Sequence, residues 1–157
     1  MLAEKLVILA REKNITFGTA ESCTGGLISA AVTDVSGASA VFWGGIVSYD
    51  NSVKEHLLGV EHETLATLGA VSAKTAEQMA MGAVRALSVD FAVSVTGIAG
   101  PGGGTPEKPV GLVYIAVAST KGVIAVKENH FKGNREEVRR QTVETALSML
   151  ISAIEES

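Results

Sequence analysis

Three hydroxyls, a thiol and a pair of glycines crowd into Thr19-Ala-Glu-Ser-Cys-Thr-Gly-Gly26. Ser22 and Cys23 are possible nucleophiles, and Thr24, Gly25 and Gly26 could let backbone N–H groups approach a ligand. The stretch lies where a short extended run, Ile15-Thr16-Phe17, gives way to Leu27, Ile28, Ala31, Val32 and Val35 at helical spacing. A strand-to-helix corner of this kind presents unpaired N–H groups and the positive end of a helix dipole. It can expose a nucleophile, cradle an anion, or simply cap a helix. Capping is the commonest of these roles for Ser22 or Thr24, and Cys23 reads more readily as a small packed residue than as a rival nucleophile.

Lys54 is the second residue of chemical interest. It follows Tyr49 by five positions, in what the capping signals predict to be the first turn of a helix. Asp50, Asn51 and Ser52 are all good N-caps, and Ser52-x-x-Glu55 fits a capping box. A first turn favours carboxylates over cations, so a lysine there has its charged form disfavoured, and burial would add to the effect. A neutral lysine near a serine is a competent general base. The ordinary reading is a solvated surface lysine, with Tyr49 as an amphipathic residue at the edge of the core.

The elements that would position these groups alternate. A first helix carries Leu2, Leu6, Val7, Leu9 and Ala10 and ends near Lys13-Asn14; a strand of about five residues follows, then the corner and a helix to about Val35. Val41–Tyr49 reads as a strand in which Gly44-Gly45 marks a bulge or a close backbone approach. Short helices are expected through Leu58 and over 61–68, and Ser72 caps a longer one over 73–87. Phe91-Ala-Val-Ser-Val-Thr96 has the look of a buried strand, and 97–106 is a loop with five glycines and two prolines. Strands over 110–118 and 123–131 meet at Lys121-Gly122 as a hairpin, and Asn134 caps a final helix. The pattern predicts a three-layer α/β/α sandwich with a mixed β-sheet, formed as one domain over 1–157.

In such folds ligands gather beyond the C-terminal ends of the strands. Glu21-Ser22, Ser48-Tyr49 and Thr96 all stand at such ends, and they share one cleft if their strands are parallel neighbours. The glycine loop lacks Gly-Lys-Ser/Thr, so it is not a P-loop; it precedes a strand, so it is not a dinucleotide fingerprint either. Its length suits backbone approach to a ligand. Gly133-Asn134-Arg135 would offer backbone donors and a guanidinium to a phosphate, although a surface charge is the commoner role for Arg135.

Composition narrows the field. The chain has 157 residues, a net charge of −4 and no basic cluster larger than Arg139-Arg140, which argues against non-specific nucleic-acid binding. One cysteine excludes an internal disulfide, and three scattered histidines give no zinc pattern. No apolar run approaches the roughly 18–20 residues of a membrane span, and the N-terminus does not read as a signal peptide; a cytoplasmic location is the default expectation.

Taken together, these stretches resemble the CinA C-terminal domain family, the nicotinamide mononucleotide deamidases, in a stand-alone form. The residues that carry the resemblance are Thr19–Gly26, Gly45-Ile-Val-Ser-Tyr-Asp-Asn-Ser-Val-Lys54, Gly69-Ala-Val-Ser72, Ser94-Val-Thr-Gly-Ile-Ala-Gly-Pro-Gly-Gly103, Lys108–Tyr114 and Phe131-Lys-Gly-Asn-Arg135. The resemblance implies hydrolysis of the carboxamide of nicotinamide mononucleotide to nicotinic acid mononucleotide and ammonia, with no cofactor or metal. It implies Ser22 as nucleophile, Lys54 as its base and Tyr49 as an accessory hydroxyl. N–H groups around Cys23 to Gly25 are then the nearest oxyanion donors, and Thr24 becomes the better helix cap. Substrate binding falls to Thr24, Gly25, Gly26, Thr96, Gly100, Gly102 and Arg135. Arg139, one turn beyond Arg135, would reach the same anion or pair with Glu136 or Glu137. The expected partner is a small nucleotide substrate, with neither nucleic acid nor membrane. The resemblance also implies a homo-oligomer, for which the Met79 and Met81 face is either an interface or core. A non-catalytic nucleotide- or partner-binding module of the same fold is the alternative.

Overall fold

The computed structural model describes residues 1–157. The strands are β1 (Phe17–Glu21), β2 (Phe42–Val47), β3 (Phe91–Gly97), β4 (Leu112–Ser119) and β5 (Gly122–His130). They form one sheet in the order β2-β1-β3-β4-β5. β1 runs parallel to both β2 and β3, while β4 is antiparallel to β3 and β5. The helices are α1 (Leu2–Glu12), α2 (Leu27–Thr33), α3 (Asn51–Leu58), α4 (His62–Thr67), α5 (Ala73–Leu87) and α6 (Arg135–Glu155). This is the mixed sheet expected, with helices on both faces.

The two faces have different chemistry, and β3 shows why. Val93 and Val95 point to one side, where they join Phe17 and Ile115 under α1, α2 and α6 through Leu6, Ile28, Val138 and Leu150. Ala92 points to the other side with Ala20, Ala116 and Ala118, under Met79, Ala80 and Ala83 of α5. Small side chains on that face let α5 lie close to the sheet. Its hydroxyls are satisfied by the same approach: Ser94 Oγ donates to the carbonyl of Ala76 at 2.6 Å, and Thr96 Oγ1 donates to that of Ala70 at 2.8 Å. Met79 is fully buried and Met81 packs against the same cluster, so that face of α5 is core.

Two local departures from the sequence reading matter for the site. β1 lies about two residues later than expected, because Thr19, Ala20 and Glu21 pair with strands on both sides. Opposite it, Phe17 faces Phe42 but Gly18 faces Gly44, so Trp43 is an extra residue in β2: the double glycine does mark a bulge. On the α5 side, Gly82 faces the backbone of Leu58, where a Cβ would overlap its carbonyl. A helical glycine costs about 1 kcal/mol relative to alanine. Here it allows α3 to dock on α5, and α3 carries Lys54.

Candidate active site

The ends of β1, β2 and β3 converge as expected for parallel neighbours. Ser22 N–H donates to the carbonyl of Val95 at 3.1 Å, and Ser48 N–H donates to that of Glu21 at 2.8 Å. Three loops are thereby held to one another by their backbones.

Asp50, not Ser52, caps α3. Its carboxylate accepts from Ser52 N at 3.0 Å and from Ser52 Oγ at 2.6 Å, so Ser52 is engaged as a donor. Lys54 is therefore the fourth residue of the helix. Side chains on a helix lean towards its N-terminus, and that direction takes Nζ back over the end of β2. The ammonium group lies 2.9 Å from Ser22 Oγ, 2.7 Å from the carbonyl of Ser48 and 3.0 Å from that of Tyr49. Lys54 is only 1% exposed. Burial pushes its pKa below the ordinary 10.5, against smaller opposing effects of Cys23 and Asp50. Desolvation is the largest cause.

Ser22 is also buried, at 8% exposure, and faces a cavity of about 200 Å³ lined by Ser22, Tyr49, Lys54, Val71, Thr96 and Arg135 among others. Two larger grooves, of about 630 and 550 Å³, run beside β5 and hold no such pair of nucleophile and base. Cys23 lies beside Ser22, but burial raises its thiol pKa to about 11, which removes it as a nucleophile near neutral pH.

The N–H of Thr24 meets no acceptor within the chain and that of Cys23 meets only its own thiol, whereas Gly25 N–H donates to the carbonyl of Ser22 at 3.1 Å. The pair of free donors is thus narrower than the sequence suggested. The remaining donors of the corner are spoken for by Glu21. This carboxylate is fully buried and accepts from Thr24 Oγ1 at 2.6 Å, Gly26 N at 3.2 Å, Ile28 N at 2.9 Å, Ser29 N at 3.0 Å and Ser29 Oγ at 2.7 Å. The start of α2 is capped from inside by Glu21, and neither Ser22 nor Thr24 caps it.

That arrangement corrects several expected binding residues. Thr24 is fully buried with its hydroxyl on Glu21, and Gly25 and Gly26 serve the turn through positive φ values of 58° and 109°. What Thr24 has left to offer is its backbone N–H, and none of the three gives the cavity a side chain. Gly102 is exposed on the outer part of the glycine loop and does not line it either. Thr96 does line it, with its hydroxyl turned to Ala70. Tyr49 contributes its carbonyl to Lys54, while its side chain is 64% exposed and its hydroxyl has no partner in the chain.

Arg135 reaches the cavity mouth, where one guanidinium nitrogen donates to the carbonyl of Gly100 at 2.8 Å. The backbone of Asn134 is not free to join it: Glu137 accepts from Asn134 N and caps α6 reciprocally. Arg139 neither lines that mouth nor pairs with Glu136 or Glu137. It donates from Nε to the carbonyl of Cys23 and from Nη2 to that of Thr24, both at 3.0 Å.

A family model described as the CinA C-terminal domain matches residues 1–154. The chain belongs to the CinA C-terminal domain family. It is 51% identical over 154 residues to a CinA-like protein of Leptospira borgpetersenii, covering 98% of this chain and 37% of that relative. It is 53% identical over 131 residues to a CinA-like protein of Syntrophomonas wolfei, covering 83% and 31%. This CinA domain therefore spans about a third of the length of the curated relatives it matches. Among solved structures, the competence/damage inducible protein CihA from Agrobacterium tumefaciens superposes with a TM-score of 0.95 at 49% identity, covering 98% of this chain and 93% of that one. A CinA superfamily protein from Klebsiella pneumoniae gives 0.95 at 29% identity, with 99% and 97% covered. No helix of the domain is long and apolar enough to cross a membrane.

Sequence reasoning placed Glu21 at a strand end in the cleft but missed its role as the cap of α2, and it missed the carbonyl roles of Ser48, Cys23 and Thr24. A carboxylate at the end of a buried parallel strand was the available signal for Glu21, since such a group must find donors. Its replacement should be costly. Glu21→Gln keeps the shape but turns an amide N–H₂ towards the donors of Ser29 or Thr24. A loss of about 2–4 kcal/mol is expected, read as a fall of roughly 5–15 °C in the thermal midpoint. An unchanged midpoint would show that the corner holds without the carboxylate.

Proposed function

We propose that this domain hydrolyses the carboxamide of nicotinamide mononucleotide to nicotinic acid mononucleotide and ammonia, by covalent catalysis at Ser22. The observation that carries the reading is the buried contact of 2.9 Å between Lys54 Nζ and Ser22 Oγ. The amine has two further hydrogen bonds, to the carbonyls of Ser48 and Tyr49. In the neutral form two N–H groups satisfy those carbonyls, and the lone pair is left facing the serine hydroxyl. Ser22 Oγ attacks the amide carbon as its proton passes to Lys54. The tetrahedral oxyanion takes the N–H groups of Cys23 and Thr24. Lys54 returns the proton to the nitrogen, the C–N bond breaks and ammonia leaves. Water, deprotonated by the same lysine, then cleaves the ester and restores Ser22.

The cavity suits this substrate in parts. Its apolar wall of Ala70, Val71 and Ala99 fits a flat pyridine ring, and Arg135 stands at the mouth for the phosphate. The glycine loop positions that arginine through the Gly100 carbonyl. Support for the reading also comes from the family resemblance of the motifs around Ser22, Lys54 and Arg135.

The test is an ammonia assay on the purified protein with nicotinamide mononucleotide, its nucleoside and free nicotinamide. The mononucleotide should be turned over, with the nucleoside much slower. In Arg135→Ala, KM for the mononucleotide should rise about tenfold or more with kcat little changed, since one charge-assisted contact is lost. Equal rates on the phosphorylated and unphosphorylated compounds would remove the phosphate site from the reading. No ammonia from any of the three across the pH range would remove the amidohydrolase reading itself.

A further inference from the structure

Arg139 is a cation without a carboxylate. It takes part in no salt bridge, although Glu136 and Glu137 stand beside it in the first turn of α6. Its guanidinium is instead spent on two successive carbonyls of the turn that follows the nucleophile, those of Cys23 and Thr24, from 116 and 115 residues away in sequence. A two-pronged guanidinium contact fixes the orientation of what it holds as well as its distance. The peptide units it holds matter because of what lies on their other side. In a trans peptide the N–H points opposite to the C=O, so a carbonyl of Cys23 held towards Arg139 sets the N–H of Thr24 facing the other way. That N–H has no acceptor within the chain.

We propose that Arg139 is the positioning residue of the anion-binding backbone: it orients and polarises the Cys23–Thr24 peptide so that its N–H group receives the negative charge that develops at Ser22. A cation on a peptide oxygen draws electron density through the conjugated C–N bond and makes the attached N–H a stronger donor. Arg139 touches neither Ser22 nor Lys54, and it acts through the main chain alone. Glu21 complements it from the other side, by occupying the donors of Gly26, Ile28 and Ser29 and leaving the Cys23 and Thr24 pair as the open ones. The inference rests on the reading of Ser22 as the nucleophile.

The test separates the two. Ser22 is labelled with diisopropyl fluorophosphate and followed by intact mass: a bond forms from Oγ to phosphorus, fluoride leaves, and the proton goes to Lys54. This reaction needs the nucleophile, its base and the anion-binding donors, but not the natural substrate. Arg139→Gln should label roughly 10–100-fold more slowly, below the loss caused by deleting a whole oxyanion donor. Its pH midpoint should match the wild type, because Lys54 is untouched, and its thermal midpoint should stay within a few degrees. Arg139→Lys, which keeps the charge but not the fork, should fall between. In Arg139→Ala, millimolar guanidinium should restore much of the rate and, in ammonia release, should act on kcat and not on KM.

Labelling of Arg139→Gln at the wild-type rate overturns the inference and leaves the amidohydrolase reading standing. A loss that tracks a fall in thermal midpoint and is not relieved by guanidinium assigns the contact to the fold alone, and also overturns it. A wild-type protein that neither labels at Ser22 nor releases ammonia removes both.

Discussion

Ser22→Ala is expected to lower ammonia release roughly ten-thousand-fold or more, to the level of bound but unassisted hydrolysis. The size follows from what is left behind. Cys23, the neighbouring nucleophile, is buried with its thiol pKa raised to about 11, so it does not take over. A water in place of the missing hydroxyl lacks the covalent attachment that fixes Ser22 Oγ 2.9 Å from Lys54, so it is a much poorer substitute. Removing one buried hydroxyl should change stability little beside that effect. Cys23→Ser, assayed in parallel, should keep a rate within a few-fold of the wild type. A Ser22→Ala protein retaining a tenth of the activity would move the nucleophile elsewhere.

Lys54→Met should cost about a thousandfold or more in kcat while still binding the mononucleotide, since general base and acid steps both pass through that amine. The wild-type rate should rise with pH as Lys54 loses its proton. Its midpoint should lie below the ordinary lysine value of 10.5, the direction in which burial shifts it. Stability carries the same signature with a definite sign. The unfolded chain holds the lysine proton up to its ordinary pKa, while the folded chain releases it at a lower pH. Between those two values the unfolded state binds more protons, so folding stability rises with pH, by at most about 1.4 kcal/mol per unit. Below the folded pKa the full cost of the buried charge is present. Denaturant titrations across alkaline pH should show that slope in the wild type and lose it in Lys54→Met. A rate profile centred at or above 10.5 would mean that Lys54 is not the base.

The parts legible in the sequence were those governed by local rules. Ser72 and Asn134 cap the helices assigned to them, and the expected hairpin forms with its turn one residue earlier, at Thr120-Lys121 between the paired Ser119 and Gly122. The convergence of Ser22, Ser48 and Thr96 followed from placing strand ends in a parallel sheet, and the sheet order bore that out. Lys54 stood out because a cation near a helix start is unfavourable unless it has a use. What escaped was the polar bookkeeping of the interior. Thr24 looked like a helix cap because the sequence signal for a cap is a hydroxyl before an apolar run, whereas the group that fills that role is Glu21, on a strand five residues before the N-cap Gly26. Asn134 and Arg135 looked like an anion site because Glu137 could not be seen folding back on the Asn134 N–H. Arg139 was read as reaching the phosphate or pairing with Glu136 or Glu137, since nothing local marks a side chain that reaches across 116 residues to a backbone oxygen.

That long reach has a consequence for how the domain can fail. The contacts around Ser22 draw on β1, β3, the end of β2, α3 and α6, so they extend from Glu21 to Arg139 along the chain. No single hairpin or helix pair contains them. A chain nicked and separated at the exposed glycine loop keeps Ser22 and Lys54 but loses Arg135 and Arg139, and a partly folded one lacks the packing of α3 that brings Lys54 to Ser22. Reactivity in this domain is thus a property of the cooperative unit as a whole. An unfolding or nascent chain carries a serine no more dangerous than any other.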